Sequence, residues 1–207
     1  MDWHLIAAVL VTMAASYLLG CCNTSIVISK YVLRDDVRNH GSGNAGLTNF
    51  YRVFGKQKIL LVILADVLKT VIAVLAGAAL FHWAGNDPII GKLLGGLLCM
   101  VGHMFPFQFE FKGGKGVLAG GTMACFMGWK VAVAVWGIFF LMVILTRFVS
   151  LGSVSAGVLY PISVGLVYQN LCYTLLALVA GGLLVWRHKD NIKRLLRGEE
   201  SKLKLHK

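Results

Sequence analysis

The sequence predicts an all-α polytopic membrane protein with seven transmembrane helices in one domain, residues 1–207. The chain is 57% hydrophobic and only 14% charged, whereas a soluble domain of this length needs more polar surface. Its apolar residues form long runs, and a helix that crosses a bilayer requires about 20 such residues. Because these runs are continuous rather than alternating, a β-barrel is disfavoured.

The apolar runs define the predicted spans. Several runs are short, so neighbouring spans could merge to give five or six, but we expect seven. The predicted spans are Leu5–Ser29, Ile59–Trp83, Ile89–Phe107, Val117–Gly128, Val131–Thr146, Val154–Tyr168 and Leu171–Trp186.

The net charge of +11 invites a nucleic-acid interpretation, but the distribution of cations argues against it. With seven spans, only Lys92 and Lys130 lie on one side of the membrane. The positive-inside rule then places the amino terminus outside and the carboxyl terminus in the cytoplasm, where most cations also suit contact with anionic lipid. The cytoplasmic set comprises Lys30, Arg34, Arg38, Arg52, Lys56, Lys58, Lys112, Lys115, Arg147 and the basic tail 187–207.

The first polar loop contains Gly41-Ser-Gly-Asn-Ala-Gly46, which has the spacing of a dinucleotide-binding fingerprint. That interpretation fails because a charged loop, and not a β-strand, precedes the glycines. Glycines of this kind can still turn backbone amides toward an anion. Arg52 adds a guanidinium suited to phosphate, and Ser42, Asn44, Thr48 and Asn49 add side-chain donors. An ordinary capped turn explains this loop equally well.

A second stretch, Lys112-Gly-Gly-Lys-Gly116, resembles the end of a Walker A motif. It lacks the leading glycine and the Ser or Thr that should follow Lys115. A lysine flanked by Gly113, Gly114 and Gly116 at a helix start still favours phosphate binding over a simple membrane-interface lysine.

The third polar stretch follows the last span. His188 and Asn191 share one helix face at i, i+3, and a polar pair at the membrane interface is the alternative interpretation. Ile192, Leu195 and Leu196 predict a short amphipathic helix over 191–197 that ends at Gly198. Arg147, Ser150 and Ser153 form a further predicted polar cluster between two spans.

Two ionisable residues, Asp66 and Lys69, lie inside the second predicted span. Such groups are costly in lipid and indicate function, although an internal ion pair explains them equally well. His103, near the end of the third span, is more typical of a structural than a catalytic histidine. The five cysteines lack metal-ligand spacing and suit packing, so we expect neither a metal nor a cofactor.

Taken together, the three polar stretches resemble the acyl-phosphate-dependent glycerol-3-phosphate acyltransferases of bacteria, the PlsY family. The similar segments are Asp36–Asn49 with Arg52, Gly102–Val117 with its Phe105-Pro-Phe107, and Arg187–Glu200. The resemblance covers nearly the whole chain, and three motifs in the same order are specific. Asn23 stands near the place where members carry a proline, and Thr70 replaces a glycine.

This resemblance implies transfer of a fatty acyl group from acyl phosphate to the 1-hydroxyl of glycerol 3-phosphate. The products would be 1-acyl-glycerol 3-phosphate (lysophosphatidic acid) and phosphate, made at the cytoplasmic face of the bacterial inner membrane. The predicted catalytic residues are Ser42, Arg52, Lys115, His188 and Asn191. Predicted substrate or phosphate contacts are Gly41, Gly43, Asn44, Gly46, Thr48, Asn49, Lys112, Gly113, Gly114, Gly116, Arg147, Ser150 and Ser153.

The predicted mechanism holds two phosphates close together and relies on orientation and charge stabilisation. The loop at Ser42 and the stretch at Lys115 would each hold one phosphate, in either order. Covalent catalysis by Ser42 is the less favoured alternative, because only His40 lies near it in sequence. A transporter of organic phosphates is the alternative from another class, but no internal repeat supports it.

Overall fold

A computed structural model describes residues 2–203 of the chain. In that range the chain is helical and contains no β-strand. It divides into two compact units, Met1–Met123 and Ala124–Lys207. Lys204 and Lys207, the last cations of the predicted basic tail, lie outside the described residues.

The first unit has three long helices, α1, α4 and α5, which pack against one another. The shorter elements between α1 and α4 carry the first polar loop, and a short loop joins α4 to α5. In chain order the elements are α1 (Trp3–Cys21), α2 (Thr24–Val27), a π-helical turn (Ile28–Val32), a 3-10 turn (Val37–Asn39), α3 (Leu47–Phe54), α4 (Ile59–Trp83), α5 (Pro88–Met104), a 3-10 turn (Phe107–Phe109) and the start of α6 (Val117–Phe126).

Glycines let the long helices of the first unit approach closely. A Cβ added at Gly77 of α4 would collide with the carbonyl oxygen of Gly91 on α5, and the reverse also holds. Gly20 of α1 meets the backbone of Cys99 on α5 in the same way. Small residues at such crossings are typical of helix pairs in membranes, where close packing replaces the hydrophobic effect between helices.

The first predicted span, Leu5–Ser29, falls within one apolar segment long enough to cross a membrane, Trp3–Val32, but its helix is interrupted because α1 ends at Cys21. Asn23 interrupts the run and accepts a hydrogen bond from the amide of Ile26 (3.2 Å), which caps α2. The carbonyls freed at the break are satisfied by Lys69, whose Nζ donates to Cys22 O (3.0 Å). The break is therefore stabilised by polar groups, as backbone at membrane depth requires.

The second unit contains α7 (Trp129–Thr146), α8 (Val149–Tyr168), α9 (Leu171–Arg187) and α10 (Lys189–Leu196). Helix α8 packs against both α7 and α9, with Gly157 and Gly181 in close contact between α8 and α9. The axis of α10 is bent by 56° from that of α9. This confirms the predicted amphipathic helix, which begins at Lys189 and is followed by Gly198 with a φ of +72°.

Among the described residues, five helical segments are long and apolar enough to cross a membrane, and a sixth is added if α9 and α10 are counted as one. Helix α6, on the predicted fourth span, has ten residues, which is about 15 Å and short of the roughly 30 Å hydrocarbon core. Two bounds also shift: α5 ends at Met104 and α7 begins at Trp129.

The predicted sixth span is wrong at its start, since α8 begins at Val149 rather than Val154. Ser150 and Ser153 therefore lie in the helix and not in a loop between spans. Their hydroxyls made this segment look non-helical in the sequence, but Ser153 Oγ donates to Val149 O (2.9 Å) within the helix.

Candidate active site

The first polar loop is a compact turn with two glycines in the left-handed region. Gly41 has a φ of +60° and Gly43 a φ of +68°, which residues with a side chain rarely adopt. The amide of Gly43 donates to His40 O (3.0 Å), and the amide of Ser42 donates to Asn49 Oδ1 (2.9 Å). These two amides hold the turn together, so they are not directed at an anion.

Asn49 is the residue that shapes this loop. It is buried, and its Nδ2 donates to Val37 O (3.1 Å) and His40 O (3.0 Å) while its Oδ1 accepts from Ser42. The sequence predicted a phosphate contact for Asn49, but its amide group is engaged inside the loop.

The other predicted residues of the first loop lie around this turn. Ser42 is exposed, and Arg52 is exposed on α3. Asn44, Gly46 and Thr48 are partly buried around the start of α3, with Gly46 in the N-cap position. The exposed hydroxyl of Ser42 therefore lies in the loop before α3, and the exposed guanidinium of Arg52 lies in the last turn of that helix.

His40, the histidine nearest to Ser42 in sequence, is paired elsewhere. Its Nε2 lies 2.8 Å from Asp35 Oδ1, and both side chains are about half exposed (46% and 47%). The structure thus gives no support to a His40-activated Ser42 nucleophile.

Arg38 attaches the first loop to the segment after α5. Its guanidinium binds both carboxylate oxygens of Asp36 and donates through Nη1 to Phe109 O (3.1 Å). The hydrogen bond and charge of Arg38 hold the pKa of Asp36 below its usual value. The sequence offered Arg38 only as one more cytoplasmic cation, because a backbone partner so distant in sequence leaves no local signal.

The Gly113–Gly116 stretch is built directly onto the end of α5. The amide of Gly113 donates to Met104 O (3.1 Å), and that of Gly114 donates to His103 O (3.0 Å). A Cβ at Gly114 would collide with His103 Nε2. The predicted amide cradle is therefore occupied at these two glycines, which bring the backbone close to His103.

The two lysines of this stretch differ in environment. Lys115, which directly follows the glycines, is partly buried, and Gly116 after it has a φ of +76°. Lys112 is exposed and pairs with Glu110 (2.7 Å). Lys115 is thus the more enclosed of the two lysines, directly before α6.

A buried polar network lies beneath both segments. Lys69 Nζ is 2.7 Å from Asp66 Oδ1 and 3.1 Å from His103 Nδ1. Asn23 Nδ2 donates to Ala45 O (3.2 Å) and to His103 O (3.3 Å). The predicted internal Asp66–Lys69 pair is confirmed. Its contact with His103, and the bonds from Asn23 to His103, were missed because they join residues far apart in sequence.

In the second unit, His188 is buried at the junction of α9 and α10. Its Nδ1 lies 2.8 Å from Leu184 O. Since a carbonyl only accepts, Nδ1 carries the hydrogen in this bond and Nε2 is the acceptor nitrogen of the neutral ring.

Glu200 organises the polar groups of the second unit. Its Oε1 accepts from Ser150 Oγ (2.8 Å) and Asn191 Nδ2 (2.7 Å), and its Oε2 accepts from Arg194 Nε (2.7 Å). Burial opposes ionisation of this carboxyl, but the hydrogen bonds from Asn191, Ser150 and Arg194 outweigh it and lower its pKa. The sequence predicted Asn191 and Ser150 as site residues and missed the acid that holds them.

Arg147 lies between α7 and α8, before the serines of this group. It is exposed, has a φ of +63° where α7 ends, and its carbonyl accepts from the amide of Leu203 (2.8 Å). Of the residues predicted to cluster here, Ser150 donates to Glu200 and Ser153 donates to Val149 O within α8. No group of three or more His, Cys, Asp or Glu side chains within residues 2–203 is arranged to hold a metal ion.

Comparison with known proteins matches residues 10–198 to the family model described as glycerol-3-phosphate acyltransferase. The chain is 39% identical over 190 residues to a protein of that name from Prochlorococcus marinus (strain MIT 9312), covering 91% of this chain and 94% of the relative. It is 36% identical over 203 residues to the one from Shouchella clausii, covering 96% and 98%.

Two solved structures are similar over nearly the whole chain. Both are of PlsY, an integral membrane glycerol 3-phosphate acyltransferase. Its glycerol 3-phosphate form gives a TM-score of 0.85 at 33% identity and covers 95% of this chain and 96% of that one. Its lysophosphatidic acid form gives 0.82 at 32% identity with the same coverage.

The family model, the relatives and the two solved structures all match nearly the whole chain, and all carry the same family name. The resemblance seen in the sequence is therefore confirmed. This chain belongs to the PlsY family of integral membrane glycerol-3-phosphate acyltransferases.

Proposed function

We propose that this acyltransferase moves a fatty acyl group from acyl phosphate to the 1-hydroxyl of glycerol 3-phosphate, giving lysophosphatidic acid and inorganic phosphate. One observation carries the proposal. The first polar loop and the Gly113–Gly116 stretch, both suited to phosphate, are joined through Asn23, which donates to Ala45 O and His103 O. A related PlsY solved with glycerol 3-phosphate and with lysophosphatidic acid supports the acceptor and the product.

Each segment has a proposed task. Lys115 holds one substrate phosphate, with Lys112 nearby in the sequence, while Ser42 before α3 and Arg52 in its last turn hold the other. His188 and Asn191 polarise the acyl carbonyl or position the attacking hydroxyl, and Glu200 holds Asn191 in place. We propose that residues 1–207 act as a single transmembrane acyltransferase domain.

The reaction itself needs little besides orientation. The 1-hydroxyl oxygen attacks the acyl carbonyl carbon, the bond from that carbon to the phosphate oxygen breaks, and the departing phosphate takes the hydroxyl proton. Acyl phosphate is a mixed anhydride and is already activated. Positioning and cationic stabilisation of the two phosphates can therefore supply much of the rate, and the proposal requires no cofactor.

We further propose the bacterial inner membrane as the location, with seven crossings, the amino terminus outside and the site facing the cytoplasm. The asymmetry of Lys and Arg along the sequence supports this orientation. Helix α6 would be a short crossing whose length is extended by the non-helical Gly113–Gly116 stretch. Membrane lipid would surround the apolar faces of the long helices.

The proposal is tested by asking which acyl donor the protein uses. Purified protein is incubated with glycerol 3-phosphate and either palmitoyl phosphate or palmitoyl-CoA, and lysophosphatidic acid is measured. We expect product with palmitoyl phosphate alone, together with one phosphate released per product. Product from palmitoyl-CoA alone would overturn the donor assignment, and no product from either would favour transport of organic phosphates.

A further inference from the structure

We propose that His103, oriented by the buried Asp66–Lys69 pair, is a positioning residue for substrate phosphate. The inference rests on the proposed role of Lys115 and assigns a task to three ionisable residues within the membrane helices. Lys69 fixes the His103 ring, and the ring fixes the backbone that presents Lys115.

The Asp66–Lys69 ion pair is costly in the position where it lies. Asp66 and Lys69 are 3% and 7% exposed, and they lie one turn apart on α4. Charged residues inside a membrane helix are costly and commonly have a function. A pair of apolar residues would pack α4 equally well, so packing alone does not account for this pair.

Lys69 also contacts groups other than Asp66. An ammonium group has three hydrogens, and Lys69 Nζ has close partners in Asp66 Oδ1 (2.7 Å), Cys22 O (3.0 Å) and His103 Nδ1 (3.1 Å). Since an ammonium only donates, His103 Nδ1 accepts and the hydrogen of the neutral ring sits on Nε2. Lys69 therefore sets both the orientation and the tautomer of the ring.

His103 is also connected to the two segments that are proposed to bind phosphate. His103 O accepts from the amide of Gly114 and from Asn23 Nδ2, and Asn23 also donates to Ala45 O in the first loop. His103 Nε2 occupies the space that a side chain at Gly114 would need. The backbone and ring of His103 thus hold Gly114, the residue before Lys115. Asn23 links the first loop to His103 as well.

These contacts predict a specific kinetic change. Without its contact to Lys69, the His103 ring can rotate. The Gly113–Gly116 stretch then shifts, and Lys115 binds the substrate phosphate more weakly. The KM for glycerol 3-phosphate or for the acyl donor then rises. Misfolding alone lowers the amount of active enzyme, which reduces apparent kcat and leaves KM unchanged.

The test compares His103→Leu, His103→Asn and a matched control, Thr70→Val, in purified full-length protein. Thr70 is buried on α4 beside the pair, and its Oγ1 donates to its own helix at Asp66 O (2.9 Å). We measure KM for each substrate, kcat and the thermal unfolding midpoint. We expect His103→Leu to raise one KM by about tenfold, the effect of about one lost hydrogen bond.

His103→Asn should restore that KM to within about threefold of the parent, because its Oδ1 can accept from Lys69 in place of Nδ1. Thr70→Val should leave both KM values unchanged. If His103→Leu fails to fold, the charge-neutral double variant Asp66→Asn with Lys69→Met should give the same KM increase. Unchanged KM values in whichever of these folds, or an Asn variant no better than Leu, would overturn the proposal.

Lys115→Ala separates this inference from the proposed function. If Lys115→Ala keeps full activity, the site assignment itself fails. If Lys115→Ala loses activity while His103→Leu keeps the parent KM values, only the positioning role of His103 fails.

Discussion

The two units hold their predicted site residues by different means. In the first unit, neutral amides and backbone carbonyls shape the loop around Asn49, and the charged pair of Asp66 and Lys69 lies deep within the helices. In the second unit, one carboxylate beyond the last helix, Glu200, accepts from Ser150, Asn191 and Arg194. The first arrangement distributes its contacts, and the second concentrates them in a single side chain.

This difference has consequences for mutation and for pH. Distributed contacts lose a part of their stabilisation when one residue is changed. A single acceptor shared by three donors loses all of its contacts at once, and it also depends on the ionisation of one group. We therefore expect the second unit to be the more sensitive to loss of one side chain and to acid.

Among the residues that hold these two regions together, Glu200 should have the largest effect when replaced. Glu200→Ala leaves the donors of Ser150 and Asn191 without their acceptor in a buried place, at a cost of about 3 kcal/mol. We expect a clear fall in the thermal unfolding midpoint and at least a hundredfold loss of turnover. Glu199→Ala, which changes the exposed neighbouring acid, is the control and should behave as the parent. Equal behaviour of the two variants would contradict the central role of Glu200.

Replacing Asn49 should come next. Asn49→Asp keeps the shape of the side chain but turns an oxygen toward the carbonyls of Val37 and His40, at a cost of about 2 kcal/mol. We expect a higher KM for a phosphate substrate as the loop at Ser42 loosens. Asn39→Ala, at an exposed asparagine of the same loop, should change neither KM. A parent-like Asn49→Asp enzyme would show that the loop does not depend on this amide.

Arg38 should have a smaller effect, because its contacts are closer to solvent. Arg38→Lys loses the two-pronged contact with Asp36 and the bond to Phe109 O, which together contribute about 1 kcal/mol. We expect a modest fall in the unfolding midpoint and a KM change below about threefold. Arg34→Lys, at an exposed arginine of the same segment, is the matched control. An equally large fall in its unfolding midpoint would contradict the role given to Arg38.

Acid should destabilise the second unit through Glu200, with little effect at neutral pH. The pKa of Glu200 is lower in the folded protein than the value of about 4.3 expected for an unfolded chain. Its stabilisation is therefore present above about pH 4.3 and is lost as pH falls through the lower folded value. Unfolding midpoints measured from pH 7 down to 3.5 should fall less steeply for Glu200→Gln than for the parent. Identical slopes would contradict this account.

The sequence predicted the helical membrane class, most spans and the three polar stretches. It succeeded because apolar runs and glycine-rich polar segments are local signals. It failed at Cys22–Asn23, where a polar cap and a lysine from another helix stabilise a break in an apolar run. It also failed at Ser150, whose hydroxyl is satisfied by an acid fifty residues away.

The site was only partly predictable for the same physical reason. The sequence shows which side chains can bind phosphate, such as Arg52 and Lys115, but it does not show which amides are already engaged. The amides of Ser42, Gly113 and Gly114 looked available, and the structure uses all three to shape their segments. His103 looked like an ordinary core histidine because its partners come from α4 and from the loop after α1.

The most direct test of the account is turnover by Lys115→Ala and Arg52→Ala, measured as lysophosphatidic acid formed from glycerol 3-phosphate and palmitoyl phosphate. Lys58→Ala, at an exposed lysine before α4, serves as the control for removal of a cation. We predict that the two site variants lose at least a thousandfold in turnover while their thermal unfolding midpoints stay near that of the parent. Parent-like turnover in both would contradict the assignment of these cations to the substrate phosphates.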